Sequence, residues 1–404
     1  MEIGPILRAM LRHKTGAILI AVQIAFTMTV VVNALFLVED RLDRMDRPSG
    51  LVEDELFQIV STGFVKDFNT KLAVEQDLDT LRKTPGIADA IQINAIPLSD
   101  SGWSTGLKVE PGEDEQDFSA AAYMVDEHGI DTMGVKLIAG ENFNERDVQW
   151  RDRSDSGWPP KAIITKALAN AMYPDLGADQ VVGKTAYVND DKPIRIVGVI
   201  ERLQAPWNGW SRVEQSMLVP QQLNFSSALY LIRTEPGQRD AMMPIVEELL
   251  VKSNPDRLIR SNRSMAEIRR QSYQVDRAIS IMLVVTMTML IAITAFGIVG
   301  LASFSVRGRT RQIGTRRALG ATRQDILRYF MVENFLITTM GVVAGGVMTI
   351  AFNMWLVEAM SFPKIDWLYV PFGMIILWLI GQGAVLGPAL RAANIPPALA
   401  TRTV

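Results

Sequence analysis

Four long apolar runs divide the chain. The first, Gly16–Val38, is a run of 23 mostly apolar residues without a charge, which is the length of a bilayer crossing. Charged residues follow at once in Glu39–Arg47, so an uncleaved first span is expected rather than a signal peptide with a shorter apolar core and a small-residue cleavage site. The other runs are Ala278–Phe304, about Phe330–Val357 and about Leu368–Leu390. The pattern predicts an N-terminal segment over 1–15, spans over 16–38, 277–304, 330–357 and 368–390, a basic segment over 305–329, a short turn over 358–367 and a tail over 391–404. Residues 39–276 hold no further span and must form a large domain between the first and second.

Inside that domain the pattern changes to short strands and amphipathic helices. Near one edge, Glu55–Val60 reads as a strand, Val74–Lys83 as a helix and Ala90–Ile96 as a strand. Near the other, Ala228–Arg233, Arg239–Ser253 and Arg257–Arg260 repeat strand, helix and strand. Two such halves predict a split α/β sandwich. Between them lies an insertion over about 101–220, punctuated by Gly, Pro and Trp, with strand-like runs at Ala162–Thr165 and Ile194–Val199. The fold class expected is therefore an α+β membrane protein: four transmembrane helices, and an extracytoplasmic α/β domain of two β-α-β halves with a β-rich insertion. Val251–Asp276 leads directly into the second span, and Met265, Ile268, Ser272 and Val275 fall near one helical face. A helix entering the membrane unbroken is expected there.

Charge sets the orientation. Between Ser305 and Tyr329, Arg307, Arg309, Arg311, Arg316, Arg317, Arg323 and Arg328 face one acid, Asp325. A basic segment between two spans belongs on the cytoplasmic side, and the turn over 358–367 has only Lys364 positive. Four spans then place both termini inside and the large domain outside. Within the basic segment, Thr310–Leu319 can be helical, with Ile313 and Arg317 on one face. Gly320 stands where a helix stop is expected, and Thr322 with Asp325 forms an approximate capping box for the next helix. Glu333, at the inner edge of the third span, is expected to snorkel or to pair with Arg328 or Arg323.

Composition removes several chemistries. The chain has no cysteine, which excludes disulfides and thiolate sites, and only two histidines, His13 and His128. No paired carboxylates, triad or metal cluster is apparent, and no nucleic-acid partner is expected. Gly183-Lys184-Thr185 resembles the end of a phosphate-binding loop, but the required earlier glycine is Ala178. Trp150, Trp158, Trp207 and Trp210 cluster in the insertion. They are candidates to grip a partner protein outside the cytoplasm or an amphiphilic substrate; the plainer alternative is that some pack the insertion's own core. Gly297 and Gly300 in the second span, and Gly341 and Gly345 in the third, are candidates for close helix packing.

The run from Ser305 through Glu333 resembles the segment after the second span of MacB/FtsX-family permeases, the type VII ABC transporters. Ser305, Val306, Arg309, Thr310, Arg311, Ile313, Gly314, Arg317, Ala318, Gly320, Ala321, Asp325 and Glu333 carry the likeness. Gly308 and Gln312 stand where the family usually has glutamates. Asp131–Gly140 with Phe143, Ala162–Pro174, Val182–Lys184 and Ile196–Val199 resemble segments of the MacB-type periplasmic domain. Gly387–Arg402 is similar to the family's closing motif through Pro388, Ala389, Arg391, Ala392, Ala393, Pro397, Ala400 and Arg402, with Thr401 in place of the usual leucine.

The resemblance implies a non-catalytic permease subunit in the bacterial inner membrane, without a fused ATPase. A separate cytoplasmic ABC ATPase dimer would bind ATP and Mg, and this chain would bind no cofactor directly. The residues implied to meet that ATPase are Arg309, Thr310, Arg311, Ile313, Gly314, Arg316, Arg317, Leu319, Gly320 and Ala321. Further implied partners are a second permease copy or a sister permease, membrane lipid, and a periplasmic adaptor with an outer-membrane channel. The function implied is export of drugs, peptides or lipids by mechanotransmission. The alternatives are FtsX-like signalling to an envelope hydrolase or sensor, and lipoprotein release.

Overall fold

The computed structural model describes residues 14–188, 192–360 and 362–396. The expected N-terminal segment before Lys14, and Pro397, Ala400 and Arg402 of the closing motif, lie outside these residues. The chain forms two units: one of residues 46–275, the other of residues 1–45 with 276–404.

Helix α1 (Lys14–Asp46) opens the helical unit. The β-rich unit follows with β1 (Leu56–Gly63), α2 (Thr70–Arg82) and β2 (Ile87–Ile93). It ends with β11 (Ser227–Thr234), α6 (Arg239–Ser253) and β12 (Arg257–Ser264). The strands join as one antiparallel sheet in the order β12-β1-β11-β2, so the two halves interleave as a split β-α-β sandwich. Alternate residues of β1 and β11, namely Phe57, Ile59, Ala228, Tyr230 and Ile232, turn to one face. There they meet Val74 and Leu78 of α2 and Val246 and Leu250 of α6. Asn69 starts α2 by accepting a hydrogen bond from the Leu72 amide at 3.1 Å. Asp77 of α2 is buried in this core, where Tyr230 Oη donates to it at 2.6 Å and Arg257 pairs with it.

The insertion is a second module. Its elements are β3 (Trp103–Lys108), β4 (Phe118–Val125), α3 (Gly129–Met133), β5 (Leu137–Gly140), β6 (Gln149–Asp152), β7 (Lys161–Thr165), α4 (Lys166–Met172), α5 (Ala178–Val181), β8 (Thr185–Val188), β9 (Lys192–Ile200) and β10 (Ser216–Asn224). The path β4-β3-β8-β9-β7-β10 returns to β4 through a parallel pairing of Ser216–Pro220 with Ala121–Val125. Six strands thus close on themselves, and closure removes the unpaired edges of an open sheet. The interior is filled by alternate residues, including Ala120, Ala122 and Met124 of β4, Ile194 and Ile196 of β9, and Met217 and Val219 of β10.

After β12 comes α7 (Met265–Ser272), started by a Ser264–Glu267 capping box and anchored by buried Met265 and Ile268. Helix α8 (Gln274–Gly308) follows after one residue. The expected unbroken helix is therefore interrupted at Tyr273, a buried residue with φ −96° and ψ 14°. The end of α7 is held by its own surroundings: Asn208 Nδ2 donates to the Ser272 carbonyl at 2.8 Å and to Ser272 Oγ at 3.1 Å, and the Tyr273 side chain is buried, so the last turn is tied to the β-rich unit.

The helical unit is completed by α9 (Thr310–Ala318), α10 (Arg323–Met360) and α11 (Tyr369–Ala393). Helices α1, α8, α10 and α11 are long and apolar enough to cross a membrane. Ile20, Ile24, Met28 and Val32 form a buried stripe along α1 that meets Ile298 of α8, Ile337 and Val342 of α10, and Leu377 and Val385 of α11. Thr27 of α1 and Thr294 of α8 share a hydrogen bond at 2.7 Å. Arg41 of α1 and Asp276 of α8 form an ion pair within the helical unit.

Candidate functional site

Helix α9 is a short polar helix laid on the end of the helical unit. Ile313 and Gly314 are its buried positions, packed with Val306, Ile326, Phe330, Ala389 and Ala392. Gly320 ends it with φ +98°, a left-handed conformation that glycine adopts at little cost. The Ala321 amide donates to the Arg316 carbonyl at 3.0 Å and the Gly320 amide to the Arg317 carbonyl at 3.2 Å, which makes a Schellman stop. Thr322 and Asp325 then exchange hydrogen bonds. The Thr322 amide donates to Asp325 Oδ2 at 2.9 Å, and the Asp325 amide to Thr322 Oγ1 at 3.2 Å. This is a capping box, and it starts α10. Stop and start together fix a helix-turn-helix whose second helix runs on as the third long apolar helix.

The seven arginines divide into two sets. Arg309 is half-buried, and its Nη1 donates to both Glu333 carboxylate oxygens at 3.1 Å and to Tyr329 Oη at 3.3 Å. The expectation that Glu333 pairs with Arg328 or Arg323 is corrected here. Those two are exposed, whereas the turn at Gly320 folds α9 back so that its N-terminal end reaches Glu333. Arg317 is also half-buried and donates from Nη1 to the Ala321 carbonyl at 3.3 Å, closing the turn. Arg307, Arg311, Arg316, Arg323 and Arg328 are exposed and form no ion pair among the described residues. Arg316 lies over the Tyr329 ring, 5.0 Å from its centroid. Leu319, at the tip beside Gly320, is 83% exposed. Thr310, Arg311, Arg316, Leu319 and Gly320 thus line the accessible side and rim of α9, while Ile313 and Gly314 fasten it; Ala321 is half-buried in the turn.

The other candidates fall elsewhere. A methyl group at Gly341 would lie 2.8 Å from Ile24 Cβ, and one at Gly345 would lie 3.0 Å from the Ala25 backbone, so both mark close approach of α1 to α10. Gly297 faces the Gln23 side chain, and Gly300 meets nothing within 4 Å. At Gly373, which the pattern did not single out, an added methyl group would lie 2.3 Å from Val32 Cγ2. The tryptophans do not form one surface. Trp158 packs on the core of the closed sheet, and Trp150 on the core of the four-stranded sheet. Trp207 and Trp210 meet edge to face at 5.7 Å in the loop that also carries Asn208. At Gly183-Lys184, the two amides donate to the Ile196 and Val181 carbonyls, at 2.8 and 3.1 Å.

Residues 15–257 match the sequence profile of the MacB-like periplasmic core domain. Residues 284–397 match that of the FtsX-like permease C-terminal domain. Among curated relatives, the macrolide export ATP-binding/permease protein MacB of Campylobacter jejuni is 23% identical over 337 residues, covering 80% of this chain and 48% of that protein. The protein of the same name from Bradyrhizobium diazoefficiens is 25% identical over 288 residues, covering 68% of this chain and 42% of its own length. The chain spans about half the length of the curated relatives it matches. Of solved structures, the periplasmic region of MacB from Actinobacillus actinomycetemcomitans aligns at a TM-score of 0.33 and 16% identity, over 57% of this chain and 97% of that one. The first profile alone covers more than half of the chain, the second covers three of the four long helices and the basic helix-turn-helix, and the chain belongs to the MacB/FtsX family of ABC transporter permeases.

Proposed function

We propose that this chain is a permease subunit whose α9 tip docks a separate cytoplasmic ABC ATPase, so that ATP hydrolysis there drives a conformational change in the β-rich domain on the far side of the membrane. One observation carries the reading: a rigidly held helix presents Leu319 among exposed arginines that form no ion pair among the described residues. Exposed positive charge with an apolar anchor suits a protein partner that supplies acids around a pocket. The chain leaves α7, which packs on the β-rich domain through Met265 and Ile268, and enters α8 after a single residue. Arg269 of α7 is held by Glu53 at 2.6 Å, so a displacement of α8 would be passed to a well-anchored helix. Substrate then need not pass through the four helices, and export of drugs, peptides or lipids is the function proposed, with a second permease copy or a sister permease completing the assembly. The test is affinity purification of the tagged chain in mild detergent, with the bound proteins identified by mass spectrometry. An ABC ATPase is expected among them. Its absence, under conditions that hold a known transporter together, would overturn the reading.

A further inference from the structure

A cavity of about 410 Å³ opens among α1, α8, α10 and α11 at the end of the helical unit that carries α9. Most of its wall is apolar, from residues such as Ile20, Ile298, Ala302, Ile337 and Val385. The charged groups that border it are Arg309 and Glu333, and Thr15, Ser305 and Asn334 are its other polar side chains. Helix bundles are otherwise close-packed, with few voids larger than a water molecule, and an apolar space of this kind does not hold water well. The volume falls in the range of small-molecule sites, as does the combination of an apolar wall with a few convergent polar groups.

We infer that this cavity takes one acyl chain of an anionic membrane lipid, with the lipid phosphate at Arg309. Three features argue for that occupant. The wall is amphipathic in the same sense as a lipid, apolar along its length and charged at one place. Arg309 uses only Nη1 for Glu333 and Tyr329, and its remaining guanidinium N–H groups make no hydrogen bond among the described residues; a guanidinium has five donors and suits a phosphate. Exposed Arg307, Arg311 and Arg316 add positive charge on the same segment, which selects against neutral and zwitterionic lipid. A helix from a second copy fits less well, because each turn of a helix about 10 Å across fills roughly 400 Å³. The bound phosphate would touch the Arg309–Glu333 pair that holds α9, so the lipid would act on the docking helix from within the bundle.

The absence of native cysteine makes the test clean. The full chain is purified in detergent and titrated with phosphatidylglycerol or phosphatidylcholine, and lipid per chain is read by native mass spectrometry. One phosphatidylglycerol per chain is expected, with phosphatidylcholine at least about tenfold weaker. Ala302→Trp, which fills the cavity, is expected to weaken phosphatidylglycerol by about tenfold or more, and Ala302→Leu by less. As a check that does not need the bulky variant to fold, Ala302→Cys is alkylated by a maleimide with and without phosphatidylglycerol, and protection is expected. Equal retention by wild type and a folded Ala302→Trp protein, equal binding of the two lipids, or absence of protection would each overturn the inference. A disulfide between two Ala302→Cys chains would do so as well, since it would place a second copy in the cavity.

Discussion

Arginines are used in opposite ways in the two units. In the β-rich unit, Arg257 sits on Asp77, Arg269 on Glu53, Arg233 on Glu55 and Arg82 on Asp126, joining segments far apart in sequence. In the basic segment, Arg309 is the one arginine in an ion pair among the described residues, and five others stand exposed. Charge that a fold needs for itself is paired within the fold. The exposed arginines on the anchored helix have no carboxylate partner among the described residues, and the proposed ATPase would supply one.

That contrast breaks if the two sets of arginines respond alike to substitution. The largest loss of stability is expected for Arg257→Met, which leaves Asp77 buried with its charge opposed by no arginine. Removing one partner of a buried pair costs roughly 3–5 kcal/mol, and both side chains here are nearly inaccessible, at 2% and 1% exposure. Denaturant unfolding followed by Trp fluorescence in the β-rich unit measures it. Next comes Arg309→Ala, expected to cost about 2–3 kcal/mol because its pair with Glu333 is only partly shielded from solvent. Its signature is sharper than its size, since proteolysis should be gained at Arg316 or Arg317 as α9 loosens. Arg316→Ala should sit at the small end, within about 0.5 kcal/mol of wild type, while lowering the ATP turnover of the proposed complex.

Acid sharpens the comparison from another side. Burial pushes the Glu53 carboxyl up, but the hydrogen bonds from Arg269 and Ser49 and the charge of Arg269 outweigh it, and Glu53 is held below its ordinary range. Its proton is therefore bound more weakly in the native than in the unfolded chain. The stabilisation is complete above the ordinary glutamate value of 4.5 and is lost as pH falls through the lower native one. Glu53→Gln should flatten the acid limb of the stability–pH curve below that value. Arg316→Ala should leave that limb unchanged.

Much of this was legible in the sequence where the signal is local. Four apolar runs, two strand-helix-strand edges, Gly320 as a stop and Thr322 with Asp325 as a start all act over a few residues, and the structure shows each of them. What was not legible depends on distant partners. The closure of the insertion rests on β4 pairing with β10 across nearly the whole module. Glu333 meets Arg309 only because a Schellman turn reverses the chain between them, so proximity in sequence pointed to Arg328 instead. The break at Tyr273 falls where a distant loop residue, Asn208, holds the end of α7. Trp150 and Trp158 looked alike as insertion residues, yet they pack on different cores.

The central claim is that the exposed arginines of α9 answer to a partner rather than to the fold. The direct test reconstitutes the chain with its ATPase and compares wild type with an Arg311→Glu, Arg316→Glu double variant, measuring ATP turnover and thermal unfolding in the same preparation. The prediction is turnover reduced by about tenfold or more, to the level of the ATPase alone, with an unfolding temperature unchanged within a few degrees. Unchanged turnover in a correctly inserted double variant would contradict the account.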